Sequence, residues 1–82
     1  MASDYIEGIK FDLSMHINEL IKDNKLTQTK ASEIALVSQE RISNINTYQV
    51  EKLFIEALLD ILAKLTEFFI GMTPMYKFEV EI

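Results

Sequence analysis

Eighty-two residues allow one small domain, and the absence of cysteine excludes a disulfide framework or a thiolate zinc site. Apolar residues make up 49% of the chain, too many for a disordered tail, and a domain this small often gains stability by association. The net charge of −5 excludes a uniformly basic nucleic-acid wrapper.

The first residues, Met1-Ala2-Ser3-Asp4, have neither the basic start nor the apolar run of a secretory leader, so none is expected. Glycine occurs only at Gly8 and Gly71 and proline only at Pro74, so the long stretch between them should be mostly helical. From Ile9 to Asp23, the residues Ile9, Leu13, Ile17, Leu20 and Ile21 recur at helical spacing and predict a first amphipathic helix. A short turn at Asn24-Lys25 follows. Thr27 is the expected N-cap of a second helix, Gln28 to Ala35, which buries Ala31, Ile34 and Ala35. Ser38 is the expected N-cap of a third, Gln39 to Ile45, which buries Ile42 and Ile45. Only Leu36-Val37 separates the second helix from that cap. Helices joined so tightly must cross steeply, which is the geometry of a helix-turn-helix, here over about residues 27–46.

Asn46-Thr47-Tyr48-Gln49 forms the next loop. A last helix is expected from about Phe54 to Ile70, with Ile55, Leu58, Leu59, Leu62, Leu65 and Phe69 on its main face. Glu56, Asp60, Lys64 and Glu67 interrupt it and exclude a membrane span. Gly71 supplies a left-handed stop and Pro74 prevents resumption. Beyond it Tyr76, Phe78, Val80 and Ile82 alternate with Lys77, Glu79 and Glu81, which is strand spacing. A lone strand leaves a row of backbone donors and acceptors open, and the simplest partner is the same strand of a second copy. The expected fold is therefore all-α, a bundle of four to five helices in one domain (1–82), plus a C-terminal β-strand pairing across a homodimer. Residues of about 54–82 would dimerise the chain, with Leu65, Phe69, Tyr76, Phe78, Val80 and Ile82 at the interface.

The run Leu26-Thr27-Gln28-Thr29-Lys30-Ala31-Ser32-Glu33-Ile34, continued by Val37-Ser38-Gln39-Glu40-Arg41-Ile42-Ser43, resembles the Xre/Cro helix-turn-helix family, and most of all its HigA-like antitoxin branch. Lys10-Phe11-Asp12-Leu13 through Ile17-Asn18-Glu19-Leu20-Ile21 is similar to the first helix of that branch, and Ile55 to Leu65 to its last. The resemblance covers roughly residues 10 to 66. Ser32 stands where the family usually has alanine, and Leu36 where it usually has the glycine of the turn. Tyr48 likewise replaces a usual glycine, and Phe54 a usual capping serine. A left-handed Leu36 would carry a steric penalty and alter or strain the turn.

The resemblance implies DNA binding with the third helix in the major groove. Gln39, Glu40, Ser43 and Asn44 would hold its exposed positions. Gln39 and Asn44 can make the paired contact that selects adenine, Glu40 can accept from cytosine N4, and Arg41 can reach a guanine or a phosphate. Gln28, Ser38 and Thr47 match family positions that hold the DNA backbone. Thr27, the cap of the second helix, and Lys30, which adds charge, join that set. The charge distribution has the right sign. Residues 1–21 carry Lys10 against Asp4, Glu7, Asp12 and Glu19, for −3. Residues 53–82 carry Lys64 and Lys77 against Glu56, Asp60, Glu67, Glu79 and Glu81, again −3. Residues 22–52 carry Lys22, Lys25, Lys30, Arg41 and Lys52 against Asp23, Glu33, Glu40 and Glu51, for +1.

His16 has no second histidine or cysteine to share a metal, and Met15, Met72 and Met75 fit packing better than a cofactor site. Glu79 and Glu81 lie two apart on one face of the expected strand and fit solvent exposure. No phosphate loop, ligand cluster or nucleophile–base pair occurs, so neither an enzyme nor a cofactor is expected. The lack of cysteine fits a cytoplasmic location. The expected function is a repressor that binds an inverted repeat of double-stranded DNA as a homodimer, in particular an antitoxin whose acidic flanks neutralise a basic RNase-like toxin. The alternative is an acidic interaction module whose helix-turn-helix has lost DNA binding.

Overall fold

The computed structural model describes residues 2–72, with side chains from 5 to 71. Among them are four α-helices: α1 (Ala2–Asp23), α2 (Gln28–Ala35), α3 (Gln39–Asn46) and α4 (Ile55–Met72). A 3-10 turn, Val50–Lys52, sits between α3 and α4. The expected strand, with Tyr76, Phe78, Val80 and Ile82, lies outside the described residues.

The two short helices begin at the expected hydroxyls. Thr27 Oγ1 accepts from the Lys30 N–H at 3.0 Å, and Ser38 Oγ accepts from the Arg41 N–H at 3.1 Å. Both caps have extended backbone, and each supplies a partner to a donor that the helix itself cannot satisfy. Ser38→Ala is expected to lower folding stability by about 1 kcal/mol, read as a shifted urea midpoint at constant m-value.

The first three helices all end at left-handed residues that are not glycine: Lys25 (φ 56°), Leu36 (φ 60°) and Tyr48 (φ 58°). After α1 the Lys25 N–H donates to Lys22 O at 3.0 Å and the Leu26 N–H to Ile21 O at 2.9 Å. After α3 the Tyr48 N–H donates to Ile45 O at 3.1 Å and the Gln49 N–H to Asn44 O at 2.8 Å. Both are Schellman closures, which satisfy carbonyls left open at a helix end. At the end of α2 the Val37 N–H reaches Ser32 O at 3.1 Å. The turn between α2 and α3 is thus left-handed, with the strain carried by Leu36 instead of being avoided.

The core gathers Ile17 and Ile21 of α1, Ala31 and Ala35 of α2, Ile42 and Ile45 of α3, Leu53, and Leu58, Ile61 and Leu65 of α4. α4 packs on both α1 and α2, and α1 also braces α3. Ile34 is only partly buried, whereas Ser32 is buried. Its hydroxyl donates to Thr29 O at 2.7 Å, which gives the buried hydroxyl the partner it needs.

Several sequence expectations are corrected. α1 starts at Ala2, not Ile9, and passes through Gly8. α4 passes through Gly71, and no described glycine has a positive φ. A glycine inside a propagating helix costs about 1 kcal/mol relative to alanine, too little to end it. The buried face of α4 is also rotated from the expected one. Ile61 is fully enclosed, while Leu59 is 50% exposed. With apolar residues at 58, 59, 61 and 62, periodicity alone does not fix the face; packing against both α1 and α2 does. Leu65, expected at the dimer interface, is fully buried in the chain's own core and has no surface to offer a partner.

Candidate nucleic-acid interface

α3 has eight residues, too few to hold a helix unaided, so its position depends on what grips it. Ile42 and Ile45 grip it from below by entering the core. Helical spacing then turns Glu40 directly away from the core, with Ser43 and Asn44 to either side of it and Gln39 and Arg41 on the flanks. Gln39 and Glu40 are exposed, and Arg41, Ser43 and Asn44 are half-buried. Of the five expected base-reading residues, only Gln39 and Glu40 are therefore fully open to solvent.

The expected phosphate contacts divide by their hydrogen-bond state. Thr27, Gln28 and Ser38 are exposed at the starts of α2 and α3. The Thr27 and Ser38 hydroxyl oxygens accept from backbone, so their protons remain free to donate to an anion. Thr47 differs. Its hydroxyl donates back to Ser43 O at 2.9 Å, so its proton is already committed to ending α3. Lys30 is exposed on α2 and borders a groove against α4 with Glu33, Lys64 and Glu67. Phe69 is half-buried against the core and meets Phe68 edge-on at 5.6 Å.

Two positioning contacts were not singled out in the sequence. Asn18 Nδ2 of α1 donates to Ile45 O at 3.0 Å, fastening the C-terminal turn of α3. Phe11 of α1 stacks on Tyr48, with centroids 4.6 Å apart and planes at 25°. The signal for Asn18 was present: it lies one turn from buried Ser14, on the same side as Ile17 and Ile21, where a polar side chain needs a partner. Ser14 Oγ and Asn18 Oδ1 have no hydrogen-bond partner among the described residues. Asn18→Asp keeps the shape but removes the donor and sets a carboxylate against a carbonyl. The expected cost is about 1–3 kcal/mol of folding stability, measured by thermal or urea unfolding at pH 7.

No family model, curated protein or solved structure matches the chain. No helix among the described residues is long and apolar enough to cross a membrane.

Proposed function

We propose that the chain is a sequence-specific DNA-binding repressor that acts as a homodimer on an inverted repeat, and that it is the antitoxin of a toxin–antitoxin pair. The observation that carries the DNA-binding part is the arrangement at the start of α3. A capped eight-residue helix, preceded by a left-handed turn and gripped by Ile42 and Ile45, turns Gln39 and Glu40 to solvent, and its own cap, Ser38, keeps a hydroxyl proton free to donate. A duplex needs these two elements together: side chains that read base edges, and donors that fix the helix against the backbone.

The antitoxin part rests on the family resemblance and on acidic flanks suited to a small basic RNase. Two recognition helices on a two-fold axis would meet half-sites about one helical turn apart. Selection from a random duplex pool tests this. The reading expects enrichment of an imperfect inverted repeat at that spacing, and no enrichment would sink it. Co-purification with the product of a neighbouring reading frame tests the toxin.

Glu40 favours a second reading, an acidic interaction module, because it stands on the outward face of α3, where phosphates would repel it. The two readings part on Glu40→Gln. A repressor that uses Glu40 on cytosine loses discrimination at one base pair, whereas an interaction module binds no DNA in either form.

A further inference from the structure

We infer that the groove between α2 and α4 is where a second copy of this chain docks, anchored by Leu36 of each protomer. The inference rests on the homodimer of the reading above and supplies it with a surface.

Leu36 is the first observation. Its backbone is left-handed (φ 60°, ψ 43°), a conformation that suits glycine, and its side chain is 76% exposed. Within one protomer, leucine here therefore adds strain without gaining burial. Exposed leucines are ordinary by themselves, but this one borders an open groove of about 480 Å³ whose apolar lining continues through Ile34 and Phe68.

The rim of the groove is the second observation, and it selects the occupant. Each helix contributes a lysine and a glutamate three residues apart, Lys30 and Glu33 from α2, Lys64 and Glu67 from α4. Lys64 also pairs with Asp60 at 2.7 Å, while Lys30, Glu33 and Glu67 have no ion pair among the described residues. A uniformly basic or acidic partner would meet like charge on half of this rim. A second copy whose two-fold axis lies across the helices runs antiparallel to the first, so lysine of one protomer faces glutamate of the other along the same edge. None of the groove's residues belongs to α3, so the pairing uses none of the expected base-reading side chains. It also assigns Lys30 to the protomer contact instead of to phosphate.

Sedimentation equilibrium of the full chain without DNA tests the inference. Leu36→Gly fits the left-handed turn better than leucine, so the fold is retained. The dimer Kd is expected to rise on the order of a hundredfold, roughly tenfold for each of the two leucines lost. A second pair of variants keeps the fold's surface but breaks its self-complementarity. Lys30→Glu/Lys64→Glu and Glu33→Lys/Glu67→Lys are each expected to be monomeric, and to form a heterodimer when mixed in equal amounts. An unchanged Kd for Leu36→Gly, or no heterodimer on mixing, would overturn the inference. If the dimer instead survives Leu36→Gly and is lost on deleting 75–82, the homodimer stands and this surface is wrong. If the wild-type mass is unchanged by Leu36→Gly while hydrogen exchange at 73–82 rises, the chain's own tail occupies the groove and the inference falls. DNA binding is read separately, so its failure would not be confused with any of these outcomes.

Discussion

Ile42→Ala is expected to lower folding stability by about 2–5 kcal/mol, measured by urea unfolding of the purified chain. Ile42 is fully enclosed, and with Ile45 it is one of the two α3 residues buried in the core. Truncation removes the transfer free energy of the lost carbons and leaves a cavity that the surrounding helices fill only in part. A domain of this size has a total stability of roughly 5–15 kcal/mol, so the variant would retain a narrow margin. The consequence for function is larger than the figure implies. α3 is too short to persist without its core contacts, so fraying at Ile42 releases the face that carries Gln39 and Glu40. A loss below about 1 kcal/mol would mean that α3 is held by something other than its two isoleucines.

Gln39→Ala is expected to weaken binding to the selected duplex by about 1–3 kcal/mol, roughly five- to 150-fold, while leaving folding stability nearly unchanged. Gln39 is exposed at the first position of α3 and makes no side-chain hydrogen bond within the chain among the described residues. Its loss therefore costs the fold little. Because glutamine is uncharged, the slope of log K against log salt is expected to stay the same. Arg41→Ala makes an informative comparison. If Arg41 holds a phosphate, that slope becomes shallower by about one; if it reads a guanine, discrimination at one base pair falls.

The elements that sequence could place were those with local causes. Thr27 and Ser38 are capping residues followed by runs with helical apolar spacing, and both helices begin where that chemistry puts them. Ile42 and Ile45 were legible for the same reason: three residues apart on a short helix, they define its single inward face. The face of α4 was not legible. Leu58, Leu59, Ile61 and Leu62 form an apolar arc wider than the face that is buried, and only contact with two neighbouring helices decides that Ile61 is buried and Leu59 is not. Leu65 was misassigned for the same reason, since an apolar position reads alike whether it meets the chain's own core or a partner.

Glycine misled at both ends. Gly8 and Gly71 are tolerated inside helices, whereas the actual left-handed stops fall on Lys25, Leu36 and Tyr48. Composition marks where a left-handed turn is easy, and backbone hydrogen bonding decides where it occurs. Asn18 went unnoticed because its partner, the Ile45 carbonyl, is 27 residues away in sequence. The exposed side of α3 was legible in outline, but the division among the hydroxyls expected to meet phosphate was not. Whether a threonine or serine donates inward, as Thr47 does, or keeps its proton free, as Thr27 and Ser38 do, depends on three-dimensional geometry.

The central claim is that α3 reads DNA, and its most direct test is a binding titration on duplex from upstream of the chain's own reading frame, repeated from low to physiological salt. Tight binding that falls steeply and linearly on a log–log plot, with Gln39→Ala displaced to weaker affinity at every salt concentration, is the predicted result. Absence of binding at low salt, or binding that Gln39→Ala leaves unchanged, would contradict it.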